Sequence, residues 1–241
     1  MYICNNFEII ILTKPIFIVK YILMKIAFFD LDKTIIKKDS IVPFMIFYLK
    51  KNPKSIIYYI KLIPYLILFF LKIIDNNKIK YKISSIFKNI TVEFGERIGK
   101  EFADSIIPNL YFKDALDEIK KLKNQKYTLI MITASFELYA KFIAKNLGFD
   151  KCMGTELWTF RDKFTGYMYG KNCYGAAKRY RLFTEHIFPN HKHKNLAYSD
   201  SISDLPMLNF AETKICVNPN KKFRKYILKN NNEGFLTVKW R

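Results

Sequence analysis

The chain has 241 residues, 50 % of them hydrophobic, and a net charge of +20 from 41 Lys and Arg against 21 Asp and Glu. The charge suits anionic lipid, yet lysine abounds together with Asn, Ile, Tyr and Phe, so compositional bias accounts for much of it. Nucleic-acid binding is set aside for want of zinc-finger spacing, an aromatic RNA-binding signature or a basic recognition helix, and Cys4, Cys152, Cys173 and Cys216 are scattered without a CxxC pair and read as reduced cytosolic thiols.

In chain order, residues 1 to 23 form an apolar extension in which Glu8–Leu23 is broken by Thr13, Lys14, Pro15 and Lys20 and lacks a small-residue cleavage site. It is a membrane-tethering strip, an extra element on the core, or untranslated sequence before a start at Met24. The last reading is favoured, because Met24 opens directly onto Lys25-Ile26-Ala27-Phe28-Phe29. That apolar run reads as a strand covered on both faces, ending in Asp30, Asp32 and Thr34. About a hundred residues separate Asp30 from Thr133, too many for a simple βαβ crossover, so an inserted domain is expected. Residues 37 to 108 supply it, with a helical pattern throughout. Pro53-Lys54-Ser55 starts a helix over Ile56–Ile74 that Asp75-Asn76-Asn77 stops, and Lys78–Asn89 and Gly95–Ile107 follow.

The core resumes with a helix over Asp114–Lys123, whose acidic start and basic end suit its dipole. Tyr127–Ile132 is a second apolar strand that delivers Thr133, Ala134 and Ser135 at its tip. Phe136–Leu147 is helical with Gly148 as its C-cap. Glu156–Phe160 and Thr165–Tyr169 form a hairpin around Arg161-Asp162-Lys163. Lys178 lies near the start of a helix, and Asn195–Ser199 is a third strand leading into Asp200 and Asp204. In a parallel α/β sheet, ligands bind beyond the carboxyl ends of the strands, where these polar residues fall. A phosphate-ester site needs that inventory: a nucleophile, a hydroxyl donor, a fixed cation and carboxylates for a divalent metal.

The set Asp30/Asp32/Thr34, Thr133, Lys178 and Asp200/Asp204 resembles the four motifs of the haloacid dehalogenase superfamily of phosphatases, over roughly residues 24 to 241. Leu147-Gly148-Phe149-Asp150, Thr165-Gly166, Cys173-Tyr174-Gly175 and the ending Asp204-Leu205-Pro206-Met207-Leu208, Val217-Asn218-Pro219-Asn220 are similar to its subfamily IB. Within that subfamily the likeness is to the membrane-associated phosphatidylglycerophosphatase C-like group. The resemblance implies a doubly wound parallel α/β core (24–36 and 109–241) with an all-helical cap. It also implies Asp30 as nucleophile, Asp32 as acid and then base, and Thr133 and Lys178 on the phosphoryl oxygens. Asp30, the Asp32 carbonyl and Asp200 would hold Mg²⁺, with Asp204 supporting Lys178 or a metal-bound water and Thr34 orienting Asp30. Ser135 joins the phosphate-binding set. Asp39, nine residues past Asp30, either orients substrate or caps the first cap helix.

Three positions depart from the phosphoserine phosphatase pattern: Lys33 stands where many relatives carry glycine, Ser199-Asp200-Ser201 replaces a Gly-Asp form, and Thr133-Ala134-Ser135 lacks a glycine pair. Taken singly, Asp32 and Thr34 also suit a helix cap, and so does Asp204 before Leu205-Pro206. His191 and His193, flanking Lys192 without carboxylate or cysteine neighbours, read as a solvated loop. The apolar run Ile56–Ile74, interrupted by Lys61 and Pro64, approaches the length of a bilayer crossing but, with the apolar Ile41–Leu49 before it, fits better as a hairpin dipping into one leaflet or lying at the interface; an ordinary buried cap core is the alternative. The expected protein is a Mg²⁺-dependent phosphomonoesterase at the inner face of the cytoplasmic membrane, acting on a lipid phosphate such as phosphatidylglycerophosphate. A soluble-metabolite phosphatase of the phosphoserine type is the alternative, and a non-catalytic membrane-associated binding protein the alternative of another class. No protein partner is implied.

Overall fold

The computed structural model describes residues 25–241 except 106, 189–193 and 231–232. The readings of the N-terminal extension, Met24, Cys4, His191 and His193 lie outside the described residues. A seven-stranded sheet runs in the order β4-β3-β2-β1-β5-β6-β7. Its strands are β1 (Ile26–Phe29), β2 (Thr128–Phe136), β3 (Lys151–Phe160), β4 (Lys163–Tyr169), β5 (Leu196–Ser199), β6 (Thr213–Val217) and β7 (Phe235–Val238). All neighbours pair in parallel except the edge hairpin of β3 and β4.

β1 is central because every residue in it is apolar and buried, as a strand covered on both faces requires. Alternate residues serve opposite faces. Ala27, Phe29, Leu129 and Met131 join one core, with Ala115, Ile119 and Leu122 of α5 (Lys113–Asn124) and Tyr139, Ala140 and Ile143 of α6 (Glu137–Leu147). Ile26, Phe28, Ile130 and Ile132 join the other. There they meet Leu182 of α7 (Ala176–Thr184), Met207 of α8 (Leu205–Leu208) and Phe223 of α9 (Lys221–Lys229). The result is a doubly wound, three-layered α/β fold.

Between β1 and α5 the chain builds a helical cap from α1 (Ile41–Lys51), α2 (Ile56–Phe70), α3 (Asn76–Ile83) and α4 (Val92–Ser105). The outgoing and returning chains run side by side, Lys37 N–H on the Leu110 carbonyl (2.8 Å) and Phe112 N–H on that of Ile35 (3.0 Å). An aromatic cluster ties cap to core: Phe44 lies 4.4 Å and Phe102 5.3 Å from the Tyr139 ring, and Phe87 lies 5.3 Å from Phe136.

The cap boundaries depart from the sequence expectation for local reasons. The helix over Ile56–Ile74 stops at Phe70, because Lys72 turns the chain with φ 58°. Asp75 starts the next helix instead of ending the last, its carboxylate accepting the Lys78 N–H at 2.8 Å. The helix expected over Lys78–Asn89 tightens into a 3₁₀ turn over Ser84–Phe87, where the Ser84 and Ser85 hydroxyls bond back to the Tyr81 and Lys82 carbonyls. α4 begins at Val92, ahead of Gly95, because the Thr91 hydroxyl accepts the Phe94 N–H. Gly148 does end α6, with φ 72°.

Candidate active site

β1 delivers Asp30 to the carboxyl edge of the sheet, its N–H still paired to the Tyr198 carbonyl of β5 at 3.0 Å. With β2 on one side of β1 and β5 on the other, the tips carrying Thr133, Ser135, Ser199 and Asp200 flank Asp30. Opposite stands Lys178, in the first turn of α7. That helix opens at Gly175, whose φ of 59° and ψ of −124° belong to a region tolerated by glycine alone.

Lys178 donates to Asp30 Oδ1 at 2.6 Å and to Asp204 Oδ2 at 2.7 Å, and all three are buried. Burial works against the lysine's charge, but Asp204 and Asp30 outweigh it and raise its pKa. Asp30 is also raised well above the ordinary carboxylate range, first by burial, with Lys178 opposing and Asp204, Asp200 and Asp32 adding to it. A simple ion pair would lower the acid. This one does not, because burial outweighs the lysine and three neighbouring carboxylates add to the rise. The lysine stays charged and the surplus is negative.

Thr34 ties two tips together: its hydroxyl donates to Asp30 Oδ2 at 3.4 Å and accepts the Asp200 N–H at 3.0 Å. Asp200 is pushed up to about 6 by burial and then by Asp204. Asp204 also accepts from the Ser199 hydroxyl at 2.7 Å and makes no capping bond at the start of α8. Asp32 stands in a different environment. Its Oδ1 accepts the Ser40 N–H at 2.8 Å and its Oδ2 the Ser135 hydroxyl at 2.6 Å. Ser40 Oγ shares further bonds with Ser135 Oγ at 2.7 Å and Tyr139 Oη at 2.9 Å. Burial raises the Asp32 pKa, and these bonds oppose it.

Asp30, Thr34, Lys178, Asp200 and Asp204 therefore share one bonded network; Asp32 and Ser135, with Ser40 and Tyr139, form a second beside it, near enough for Asp30 to feel the Asp32 charge. Buried Thr133 adjoins the second, its hydroxyl accepting the Ser135 N–H at 3.0 Å. Asp39 stands apart on the surface, paired with Lys33 at 2.7 Å and not capping α1. Lys33 takes φ 58°, the left-handed conformation that explains why glycine suits this turn. Ser40 and Tyr139 were not foreseen. Ser40 stands at the N-terminus of α1 but its hydroxyl makes no capping bond and turns to Ser135 and Tyr139 instead, and neither residue offered a local signal. Lys80 of α3 also reaches the site region, feeling the charges of Asp32 and Asp39.

Among the described residues, no three His, Cys, Asp or Glu side chains form a metal cluster. Mg²⁺ does not need one: it keeps several waters and binds through one or two carboxylates. The negative surplus around Asp30 and Asp200, bridged by Thr34, fits such a hard cation, with the Asp32 carbonyl as a further oxygen.

Residues 27–209 match the haloacid dehalogenase-like hydrolase family, and the chain belongs to it. It is 31 % identical over 206 residues to a probable phosphatase of Mycobacterium tuberculosis, covering 83 % of this chain and 70 % of that protein. In fold it is similar to a Bordetella pertussis protein of unknown function (TM-score 0.75, 17 % identity, 89 % of this chain and 98 % of that one). An apo phosphoserine phosphatase shares the fold with a TM-score of 0.55, at 20 % identity over 86 % of this chain and 98 % of that one. The protein is a phosphatase of this hydrolase family.

Proposed function

We propose that the protein is a Mg²⁺-dependent phosphomonoester hydrolase that works through an aspartyl-phosphate and takes a lipid phosphate, with phosphatidylglycerophosphate the leading substrate. The observation that carries the chemistry is the buried Lys178 shared between Asp30 and Asp204. It holds Asp30 at the strand tip and supplies fixed positive charge where phosphoryl oxygens arrive. An Asp30 oxygen attacks phosphorus as the bond to the leaving oxygen breaks, and Asp32 gives that oxygen its proton. The raised Asp32 pKa favours the protonated carboxyl this step requires. Asp32 then takes a proton from water as the water attacks phosphorus, releasing inorganic phosphate and restoring Asp30. Thr133 donates to the transferring group, and Asp204 keeps Lys178 aimed. Asp30, Asp200 and the Asp32 carbonyl would hold Mg²⁺, which would supply charge neutralisation for the phosphoryl group.

The lipid reading rests on the cap. Pro53–Phe70 is long and apolar enough to cross a membrane, yet only 11 % of it is buried. Ile56, Ile60, Ile63, Ile67 and Phe70 are all exposed at alternating spacings of four and three, which places them on one face of α2. A soluble protein gains nothing by showing water such a stripe. Exposed Lys50, Lys51, Lys54, Lys61 and Lys72 lie on and around the same segment, suiting an anionic bilayer surface. The helix lies at the interface of the cytoplasmic membrane and brings the site to its substrate.

The test is Mg²⁺-dependent phosphate release from phosphatidylglycerophosphate in mixed micelles, beside soluble phosphoserine, with Asp30→Asn as control. Release from the lipid, reduced at least about a thousandfold by Asp30→Asn, is expected. Release from phosphoserine alone would overturn the lipid reading and leave the chemistry standing. Asp30-independent release would overturn the chemistry.

A further inference from the structure

Lys80 is the one charged group of α3 directed at the crevice, and α3 is firmly held there. The Asn172 side-chain amide donates to Asn77 Oδ1 at 3.1 Å, Tyr81 stacks on Tyr167 with centroids 5.6 Å apart, and the Ser84 hydroxyl reaches the Gly166 carbonyl at 3.0 Å. The Lys80 ammonium lies 4.2 Å from the ring centroid of Phe136, the residue after Ser135. A ring face attracts a cation but does not neutralise it.

The acids around Lys80 are already engaged. Asp32 accepts the Ser40 N–H at Oδ1 and the Ser135 hydroxyl at Oδ2. Asp39 pairs with Lys33. Lys80 itself makes no hydrogen bond or ion pair among the described residues, and burial pushes its pKa down to about 8 despite Asp32 and Asp39. A half-buried amine held in place without an anion costs stability, so its place is explained best by an anion that arrives with the substrate.

The transferring phosphoryl group already has a lysine, Lys178. Asp32 marks the leaving-group side, because it protonates the leaving oxygen, and Lys80 faces that side. We propose that Lys80 binds a second anionic group, a carboxylate or a phosphodiester, carried by the alcohol portion of the substrate; this rests on the phosphatase reading of the site. Esters of neutral alcohols gain nothing from it. Lys80 is thus a specificity residue of the cap, with the face of Phe136 and the engaged acids keeping its amine free for the ligand.

The experiment measures calorimetric binding of two non-hydrolysable probes to the full chain in Mg²⁺: n-propylphosphonate, with one anionic group, and 3-phosphonopropionate, with a carboxylate as well. The wild-type chain should prefer the second by about ten- to a hundredfold, the range for a hydrogen bond to a charged group. Lys80→Met should erase the preference while changing propylphosphonate affinity by less than about threefold. Lys80→Arg should keep most of it. No preference in the wild type, or equal weakening of both probes in Lys80→Met, overturns the proposal. The source of the anion is read from KM. A Lys80→Met rise for the deacylated glycerophosphoglycerol phosphate headgroup marks a phosphodiester, and one for phosphoserine a carboxylate. Lys80-dependent binding without Asp30-dependent turnover would leave this proposal standing and overturn the phosphatase chemistry instead.

Discussion

Core and cap each send one lysine toward the same crevice, and the two stand in opposite electrostatic circumstances. Lys178, from the core, is fully buried between Asp30 and Asp204, which raise its pKa. Lys80, from the cap, is half-buried against an aromatic ring, has no ion pair among the described residues, and has its pKa lowered to about 8. A lysine that builds the site is satisfied before substrate arrives, whereas a lysine that reads the substrate is kept waiting. The first is therefore a stability element as much as a catalytic one. The second is a liability that only ligand removes.

Replacing Lys178 tests the first half of this contrast and carries the largest expected effect. Lys178→Met leaves Asp30 and Asp204 buried without their shared cation, and breaking a buried pair from one side costs about 3–5 kcal/mol. For a chain of this size that lowers Tm by roughly 6–20 °C, measurable by thermal denaturation without substrate. A fall of less than about 2 °C would show that the network is not held by that ammonium.

The contrast also requires cap and core to stay in register, and Gly99 is a point where they approach closely. A Cβ on Gly99 of α4 would sit 2.2 Å from the Leu138 carbonyl oxygen of α6, a backbone atom that cannot swing aside. Gly99→Ala must push the two helices apart, at an expected cost of about 1–3 kcal/mol. The displacement reaches the chemistry, because Phe102 of α4 packs on Tyr139, and Tyr139 holds the Ser40 hydroxyl beside Asp32. Turnover should fall together with Tm. Loss of Tm with unchanged kcat would uncouple the cap packing from Asp32.

Those couplings mark the limit of what the sequence discloses. The carboxylates, Lys178 and the central strand were legible because each sits at the end of a local signal: an apolar run, a strand tip, a helix start. The Ser40–Ser135 and Ser40–Tyr139 bonds join residues 95 and 99 positions apart, and no local pattern predicts such pairings. Lys80 was invisible for another reason. In a chain with 41 Lys and Arg it differs from its neighbours only in what surrounds it after folding. Strand limits suffered likewise. β6 and β7 are short, with β7 at the sheet edge, and the first half of β3 pairs in parallel with β2 before the part read as a hairpin begins.

The smallest effect is the most discriminating. Folding lowers the Lys80 pKa from its ordinary 10.5 to about 8, so between those values the folded chain binds fewer protons than the unfolded one. Stability must then rise with pH across that window, and below pH 8 the charged amine exerts its full cost. Asp32 and Asp39 face this amine and favour its charge, Phe136 covers it, and solvent reaches it in part, which keeps the cost to about 1 kcal/mol. Lys80→Met should accordingly raise Tm of the ligand-free chain at pH 7 by about 2–4 °C. That advantage should fade as pH climbs through the window toward 10.5. The same substitution weakens a dianionic ligand, so a gain in stability and a loss of affinity would come from one side chain. A lower Tm at pH 7 would mean that Lys80 is paired in solution, and the opposition between the two lysines would collapse.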